Sequence, residues 1–120
     1  MTTFTKVLLS GSTGGKQIKV AATATPGDLI HTTGTSATAL DRITLYATNQ
    51  DATAITLTIE WGGTTDPDDR ISVSIPSKSS LTLVTPPLLL SGDGAAGRTV
   101  RAFAATANKI MVSGEVDRIA

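Results

Sequence analysis

Hydrophobic and polar residues alternate along much of this chain. The alternation is clearest in Ile43-Thr44-Leu45-Tyr46-Ala47-Thr48 and in Ile55-Thr56-Leu57-Thr58-Ile59. A period of two places successive side chains on opposite faces of a strand, so the aliphatic residues share one face and the hydroxyls the other. Threonine supports this interpretation, because its β-branched side chain suits a pleated strand and the chain has 21 threonines among 120 residues.

About eight short strands follow from this pattern and from the turn residues between the strands. They are predicted at 17–24, 29–31, 40–48, 54–61, 71–75, 80–84, 99–105 and 109–118. No window of a dozen residues combines helical periodicity with a start and a stop signal. The chain is therefore predicted to be all-β, an antiparallel two-sheet β-sandwich of the jelly-roll or immunoglobulin-like type.

Two turns predict antiparallel hairpins. Asn49-Gln50-Asp51 is expected to join strands 40–48 and 54–61 as the clearest hairpin, because Asn and Asp tolerate turn geometry. Thr106-Ala107-Asn108 is expected to turn the last hairpin. Pro86-Pro87 interrupts the strand that begins at residue 80, which predicts a sheet edge or a corner because proline has no amide hydrogen.

The first fifteen residues are predicted to stand apart from the body. Residues 1–15 form an N-terminal arm with a glycine-rich joint, and residues 16–120 form the sandwich domain. An apolar arm on a joint can add a strand to a neighbouring subunit, or it can pair within its own sandwich, and both alternatives stay open. The apolar side chains of the arm are Phe4, Val7, Leu8 and Leu9.

Composition excludes several classes of partner and chemistry. Ten basic and ten acidic residues give a net charge of +0, so no basic surface is expected for nucleic acid. The chain has no cysteine, which removes disulfides and thiolate metal sites. No apolar run approaches the ~20 residues of a spanning helix, and the N-terminus lacks a signal-peptide pattern. We expect a protein without a membrane partner, made in the cytoplasm as one domain.

His31 is the only histidine, so it is the only imidazole in the chain that could act as a general base. A Ser-His-Asp triad requires a serine within hydrogen-bond reach, but the Gly-x-Ser-x-Gly elbow is absent. A zinc site requires three or four ligands of the His, Cys or carboxylate type. The sequence thus predicts no catalytic residue, no cofactor and no metal site, and a small hydrolase around His31 is the last-ranked alternative.

Two features near the middle of the chain each have two interpretations. Asp66-Pro67-Asp68-Asp69 is either a solvated turn, partly neutralised by Arg70, or a site for a hard cation. Trp61 is in phase with Ile55, Leu57 and Ile59, which favours packing at the core or sheet end. The alternative is that Trp61 stacks on a sugar or on a partner's side chain.

Five stretches of the chain resemble small virion proteins of tailed bacteriophages. They are Lys6-Val-Leu-Leu-Ser-Gly-Ser-Thr-Gly-Gly, Ile18-Lys-Val-Ala-Ala-Thr-Ala-Thr-Pro-Gly, Ile55-Thr-Leu-Thr-Ile-Glu-Trp-Gly-Gly-Thr-Thr, Val100-Arg-Ala-Phe-Ala-Ala-Thr-Ala-Asn and Gly114-Glu-Val-Asp-Arg-Ile. The resemblance spans most of the chain, and it rests on strand style rather than on a catalytic motif.

The resemblance implies a capsid decoration or cement protein that binds the outer surface of a phage head and stabilises it. Such a protein would bind the major capsid protein and form a homo-oligomer, expected to be a trimer, on virions assembled in the host cytoplasm. Related sandwiches in tail tips, fibres and head spikes imply the alternative of a receptor- or glycan-binding domain. We expect partner contacts from the arm and from loops 62–69 and 91–98, through Phe4, Val7, Leu8, Leu9, Trp61, Asp66, Asp68, Asp69, Arg70 and Arg98.

Overall fold

The computed structural model describes residues 3–78 and 80–120, and every regular element in these ranges is a β-strand. The nine strands are β1 (Phe4–Val7), β2 (Ile18–Val20), β3 (Asp28–Thr32), β4 (Leu40–Asn49), β5 (Ile55–Trp61), β6 (Arg70–Ile75), β7 (Thr82–Ser91), β8 (Thr99–Ala104) and β9 (Ile110–Ile119). They form two antiparallel sheets, which confirms the predicted all-β sandwich. The strand count is one above the expected eight because part of the arm is itself a paired strand.

The two sheets have different strand orders. The first sheet runs β1-β9-β4-β7, and β2 also pairs with β9, next to β1 along that strand. The second sheet runs β3-β8-β5-β6. Only β5 and β6 are consecutive strands that pair with each other, through the loop at residues 62–69. Most other connections therefore cross from one sheet to the other.

Both predicted hairpins are wrong. β4 pairs with β7 and β9, whereas β5 pairs with β6 and β8, so the two strands lie in opposite sheets. β8 and β9 are separated in the same way. A turn signal marks where the chain reverses, but it does not determine whether the next strand pairs alongside or crosses over the core. Here the apolar faces of β4 and β5 face each other across the core, which requires the crossing.

The core lies between the sheets and consists of aliphatic side chains. The alternation predicted for β4 and β5 is confirmed, because Ile43, Leu45, Leu57 and Ile59 are fully buried. Each large aliphatic side chain buried in this way contributes about 1.5–3 kcal/mol to folding. The remaining buried hydrophobic residues are Leu9, Val20, Ile30, Ala47, Ile55, Ile75, Val84, Val100, Ala102, Ala104, Ile110, Val112 and Val116.

β7 is a free edge of the first sheet, as its two prolines predict. The predicted interruption is wrong, because β7 continues through Pro86 and Pro87 to Ser91, although its register against β4 shifts between Ile43 and Tyr46. The edge position tolerates the two missing amide hydrogens because no strand in the described part of the chain pairs on its other side. Leu83 and Leu89 on this strand are more than half exposed.

The N-terminal strand pairs within its own chain. β1 lies antiparallel to the last residues of β9, from Phe4 opposite Ile119 to Val7 opposite Val116. Leu9, which follows β1, is buried in the core. Of the two alternatives for the first residues, the structure shows pairing inside the sandwich.

Candidate functional site

Three loops meet at one end of the sandwich, and we call this the loop end. Loops 33–39 and 92–98 each cross from one sheet to the other there, and loop 62–69 joins β5 to β6 at the same end. Both ends of the described chain lie beside these loops, where Thr3 and Ala120 exchange two backbone hydrogen bonds of 2.6 and 2.9 Å.

Loops 33–39 and 92–98 are hydrogen-bonded to each other through their backbones. The Thr33 amide donates to the Arg98 carbonyl at 2.9 Å, and the Gly92 amide donates to the Ser36 carbonyl at 3.0 Å. The Gly94 amide donates to the Thr35 carbonyl at 2.8 Å. Loops held by mutual backbone bonds lose little conformational freedom on binding, so this surface is organised before any partner arrives.

Loop 92–98 is also fixed by its own side chains. The carboxylate of Asp93 accepts the amides of Ala95 and Ala96 at 2.8 and 2.7 Å, and these bonds lower the pKa of Asp93. Arg98 donates from Nη1 to the carbonyls of Ser91 and Gly92, both at 3.1 Å. The guanidinium thus holds the loop at its base.

Loop 62–69 uses its carboxylates within its own turn. Asp66 lies 3.4 Å from the guanidinium of Arg70, and Asp69 accepts the Thr65 amide at 3.1 Å. The Arg70 guanidinium also stacks over the Phe103 ring at 5.2 Å. Asp68 is exposed. In residues 3–78 and 80–120, no group of three or more His, Cys, Asp or Glu side chains is arranged to hold a metal ion.

Most residues predicted to contact partners come together at the loop end. Phe4 reaches it because it lies opposite Ile119, which in turn lies opposite Leu40 at the start of β4. Trp61 is partly buried against the core at the base of loop 62–69. The others at this end are Asp66, Asp68, Asp69, Arg70 and Arg98.

The rest of the arm lies away from the loop end. Val7 packs partly against the core, and Leu8 is 60% exposed. Leu9 is 3% exposed, so its side chain packs inside the sandwich rather than on the surface.

No protein-family model, curated protein or solved structure matches this chain.

His31 is fully buried beneath the loop end and has both ring nitrogens occupied. The Ser10 amide donates to Nδ1 at 3.0 Å, so Nδ1 carries the lone pair and Nε2 carries the hydrogen. Nε2 donates to Asp41 at 2.8 Å. The Ser10 hydroxyl instead accepts the Thr32 amide at 2.6 Å. His31 therefore has no free lone pair directed at a serine hydroxyl, unlike the base of a triad.

Asp41 is 2% exposed and links His31 to Arg118. Arg118 donates from Nε and Nη2 to the two carboxylate oxygens at 2.7 and 2.9 Å, a bidentate ion pair. Burial by itself raises the pKa of Asp41, but the hydrogen bonds and charges of Arg118 and His31 outweigh it, so the pKa is lowered. The bond to Asp41 likewise raises the pKa of Arg118.

This buried network fixes the base of loop 33–39. His31 lies near the end of β3 and Asp41 near the start of β4, on either side of that loop. The sequence interpretation missed Asp41 and Arg118. A signal was present, because Asp41 is in phase with the buried Ile43 and Leu45 and must therefore point inward, where a carboxylate requires partners.

Glu60 is a second buried carboxylate, and its structural role differs from that of Asp41. It accepts the Thr25 hydroxyl and the Gly27 amide, each at 2.6 Å. Arg101 donates to the Gly27 carbonyl at 3.1 Å. Glu60 thus ties the connection between β2 and β3 onto the second sheet.

The described surface of residues 3–78 and 80–120 has no pocket. In the same ranges there is no helix with the length and apolarity that a membrane crossing demands.

Proposed function

We propose that this chain is a structural protein of a tailed-phage virion, a decoration or cement protein that binds the outer surface of the head and stabilises it. Its partners are the major capsid protein and further copies of itself, assembled as a trimer in the host cytoplasm. The resemblance of five stretches to small phage virion proteins suggests this role, and the sandwich fold is compatible with it.

The observation that carries the proposal is the organisation of the loop end. Loops 33–39 and 92–98 are held by mutual backbone bonds, and loop 62–69 is bonded to the start of β8 through the Gly62 amide and the Thr99 carbonyl at 2.8 Å. Exposed side chains of both charges project from loops 62–69 and 92–98. A surface that is ordered in advance loses less conformational entropy on binding, which suits a protein that binds a capsid. Many copies on one particle gain strength by avidity, so each contact can be small.

The proposal is tested by particle binding and copy number. We expect the chain to co-purify with phage heads at hundreds of copies per particle, whereas a few copies would indicate a tail or vertex component. Asp68→Lys reverses an exposed charge at the loop end, and we expect it to reduce the bound copy number several-fold. Lys109→Glu is the control, because it changes an exposed charge by the same amount at the opposite end.

Equal loss of binding in both variants would contradict a loop-end contact. Absence of the chain from purified particles would contradict the proposed function itself.

A receptor- or glycan-binding tip domain is the second candidate. It is favoured by Trp61, which is partly exposed at the loop end next to loop 62–69. An indole ring in this position offers a flat face for a sugar ring. Glycan-array binding that disappears in Trp61→Ala, in protein that remains folded by circular dichroism, would favour this candidate over a decoration protein.

A further inference from the structure

The N-terminal segment is held to the body by a bond that depends on the charge of His31. Nδ1 of the buried imidazole accepts the Ser10 amide hydrogen at 3.0 Å. A backbone amide can only donate, so this bond exists only while Nδ1 is unprotonated. We propose that His31 is a pH-sensitive switch, and that its protonation releases β1 and the residues up to Ser10 from the sandwich.

Protonation breaks the hydrogen bond on one side of the imidazole ring and strengthens the hydrogen bond on the other side. A proton from solvent at Nδ1 places an N–H group against the Ser10 N–H, where two donors repel each other. Rotating the ring does not help, because both nitrogens of an imidazolium are donors. At Nε2 the bond to the Asp41 carboxylate becomes a bond between two charged groups and is therefore tighter. The ring stays with Asp41, and Ser10 has to move.

Two charged groups belong to the hydrogen-bonded network of His31. β4 provides Asp41 and β9 provides Arg118, which already neutralises that carboxylate through its bidentate bond. β8 presents the uncharged Val100 directly opposite His31. The guanidinium of Arg98, the residue before β8, is directed to the carbonyls of Ser91 and Gly92. The N-terminal segment itself places only the Ser10 amide on the ring.

The N-terminal segment is the weakest partner of the network. β1 has four residues, three of which are exposed, and it pairs only with β9. Phe4 is 71% exposed and Leu8 60% exposed, so releasing these two side chains sacrifices little buried area. Leu9, which is 3% exposed, is the one large side chain of the segment that release takes out of the core. Short strands at a sheet edge open at low free-energy cost. β4 and β9, by contrast, pair along ten residues.

The exposed ion pair of Lys6 offers a competing explanation for any acid effect on β1. Lys6 lies 2.7 Å from Asp117 and 3.7 Å from Glu115, and both carboxylates become neutral in acid. Lys6→Gln removes these pairs and leaves the Ser10–His31 bond in place. This variant separates the effect of the surface charges from the effect of protonating the buried His31.

The test is nuclear magnetic resonance of the purified full chain between pH 8 and pH 4. The His31 ring resonances report protonation, the Ser10 amide reports the bond, and heteronuclear relaxation of residues 4–8 reports the order of β1. We expect all three to change together and reversibly while β4 and β9 stay ordered. Lys6→Gln is expected to keep this shared transition, and His31→Gln to abolish it in residues 4–8.

The wild-type titration decides the question even if His31→Gln fails to fold. Protonation of the His31 ring with residues 4–8 still ordered would overturn the proposal. A ring that stays neutral throughout, or a transition lost in Lys6→Gln, would overturn it equally. The measurement uses the isolated chain, so its outcome is independent of the proposed virion role.

Discussion

Asp41 occupies a position where the strand pattern calls for an aliphatic side chain. It is in phase with Ile43 and Leu45, and like them it is buried. A buried carboxylate is tolerated only when its hydrogen-bonding capacity is filled, and Arg118 and His31 fill it here. Through Asp41 and His31 the network joins β3, β4 and β9 with the N-terminal segment.

Asp41→Asn is expected to lower the free energy of unfolding by about 3 kcal/mol, because it leaves Arg118 and His31 without their shared anionic partner. Denaturant unfolding measures this change. Asp68→Asn is the control, since Asp68 is exposed in loop 62–69 and should cost less than about 0.5 kcal/mol. Equal stability of the two variants would show that the buried pair contributes nothing.

The lowered pKa of Asp41 also predicts how stability depends on pH. An unfolded aspartate has a pKa of about 3.9, and a group whose folded pKa lies below this value stabilises the fold fully above it. That contribution is lost as the pH falls through the folded pKa. We expect the wild-type protein to lose stability more steeply below about pH 4 than Asp41→Asn does, in urea unfolding at each pH. Parallel curves would contradict this expectation.

At the scale of elements, Asn49 explains why β4 and β5 do not form a hairpin. It is the last residue of β4 and is fully buried. Its side-chain amide donates to the Thr53 carbonyl at 2.9 Å and to the Ile75 carbonyl at 3.1 Å, and its oxygen accepts the Asp51 amide at 2.8 Å. Because Ile75 ends β6 in the second sheet, one side chain bonds the two sheets together where the chain crosses between them.

Asn49→Ala is expected to destabilise the protein by about 2 kcal/mol, because it leaves buried backbone carbonyls and an amide without partners. Thermal or denaturant unfolding measures the loss. Gln50→Ala is the matched control, since Gln50 is the exposed neighbour and its backbone bond to Lys109 is retained. A larger effect at Gln50 than at Asn49 would refute this account of the crossing.

At the scale of the whole molecule, one continuous core connects the two sheets. Its buried side chains come from eight of the strands and from the segment after β1, and most connections cross between the sheets. Neither sheet can keep its apolar face covered without the other, so the sheets should unfold together.

We therefore expect a single cooperative transition. Trp61 fluorescence reports the loop end, and far-ultraviolet circular dichroism reports all strands, so coincident denaturant curves from the two probes are the expected result. An earlier unfolding midpoint by fluorescence than by circular dichroism would mean that the loop end unfolds before the sheets and is not held by the core.

The strands and their buried faces were predictable from the sequence because they depend on local alternation. Ile43, Leu45, Leu57 and Ile59 point inward as their period of two predicts. The edge position of β7 was also predictable, since Pro86 and Pro87 cannot donate to a second neighbour. The candidate site was predictable only in part: loops 62–69 and 91–98 were singled out separately, but loop 33–39 and the network beneath the loop end were not.

Local alternation thus determined that this chain forms strands, and it determined the buried side of strands such as β4 and β5, because those properties depend on neighbouring residues alone. Only the tertiary structure decided which strands pair, that the turns after β4 and β8 cross the core, and that Ser10, His31, Asp41 and Arg118 meet. The reason is physical: an apolar face can be covered by any apolar face, and a buried polar group by any suitable partner. The actual partner follows from packing the whole chain at once.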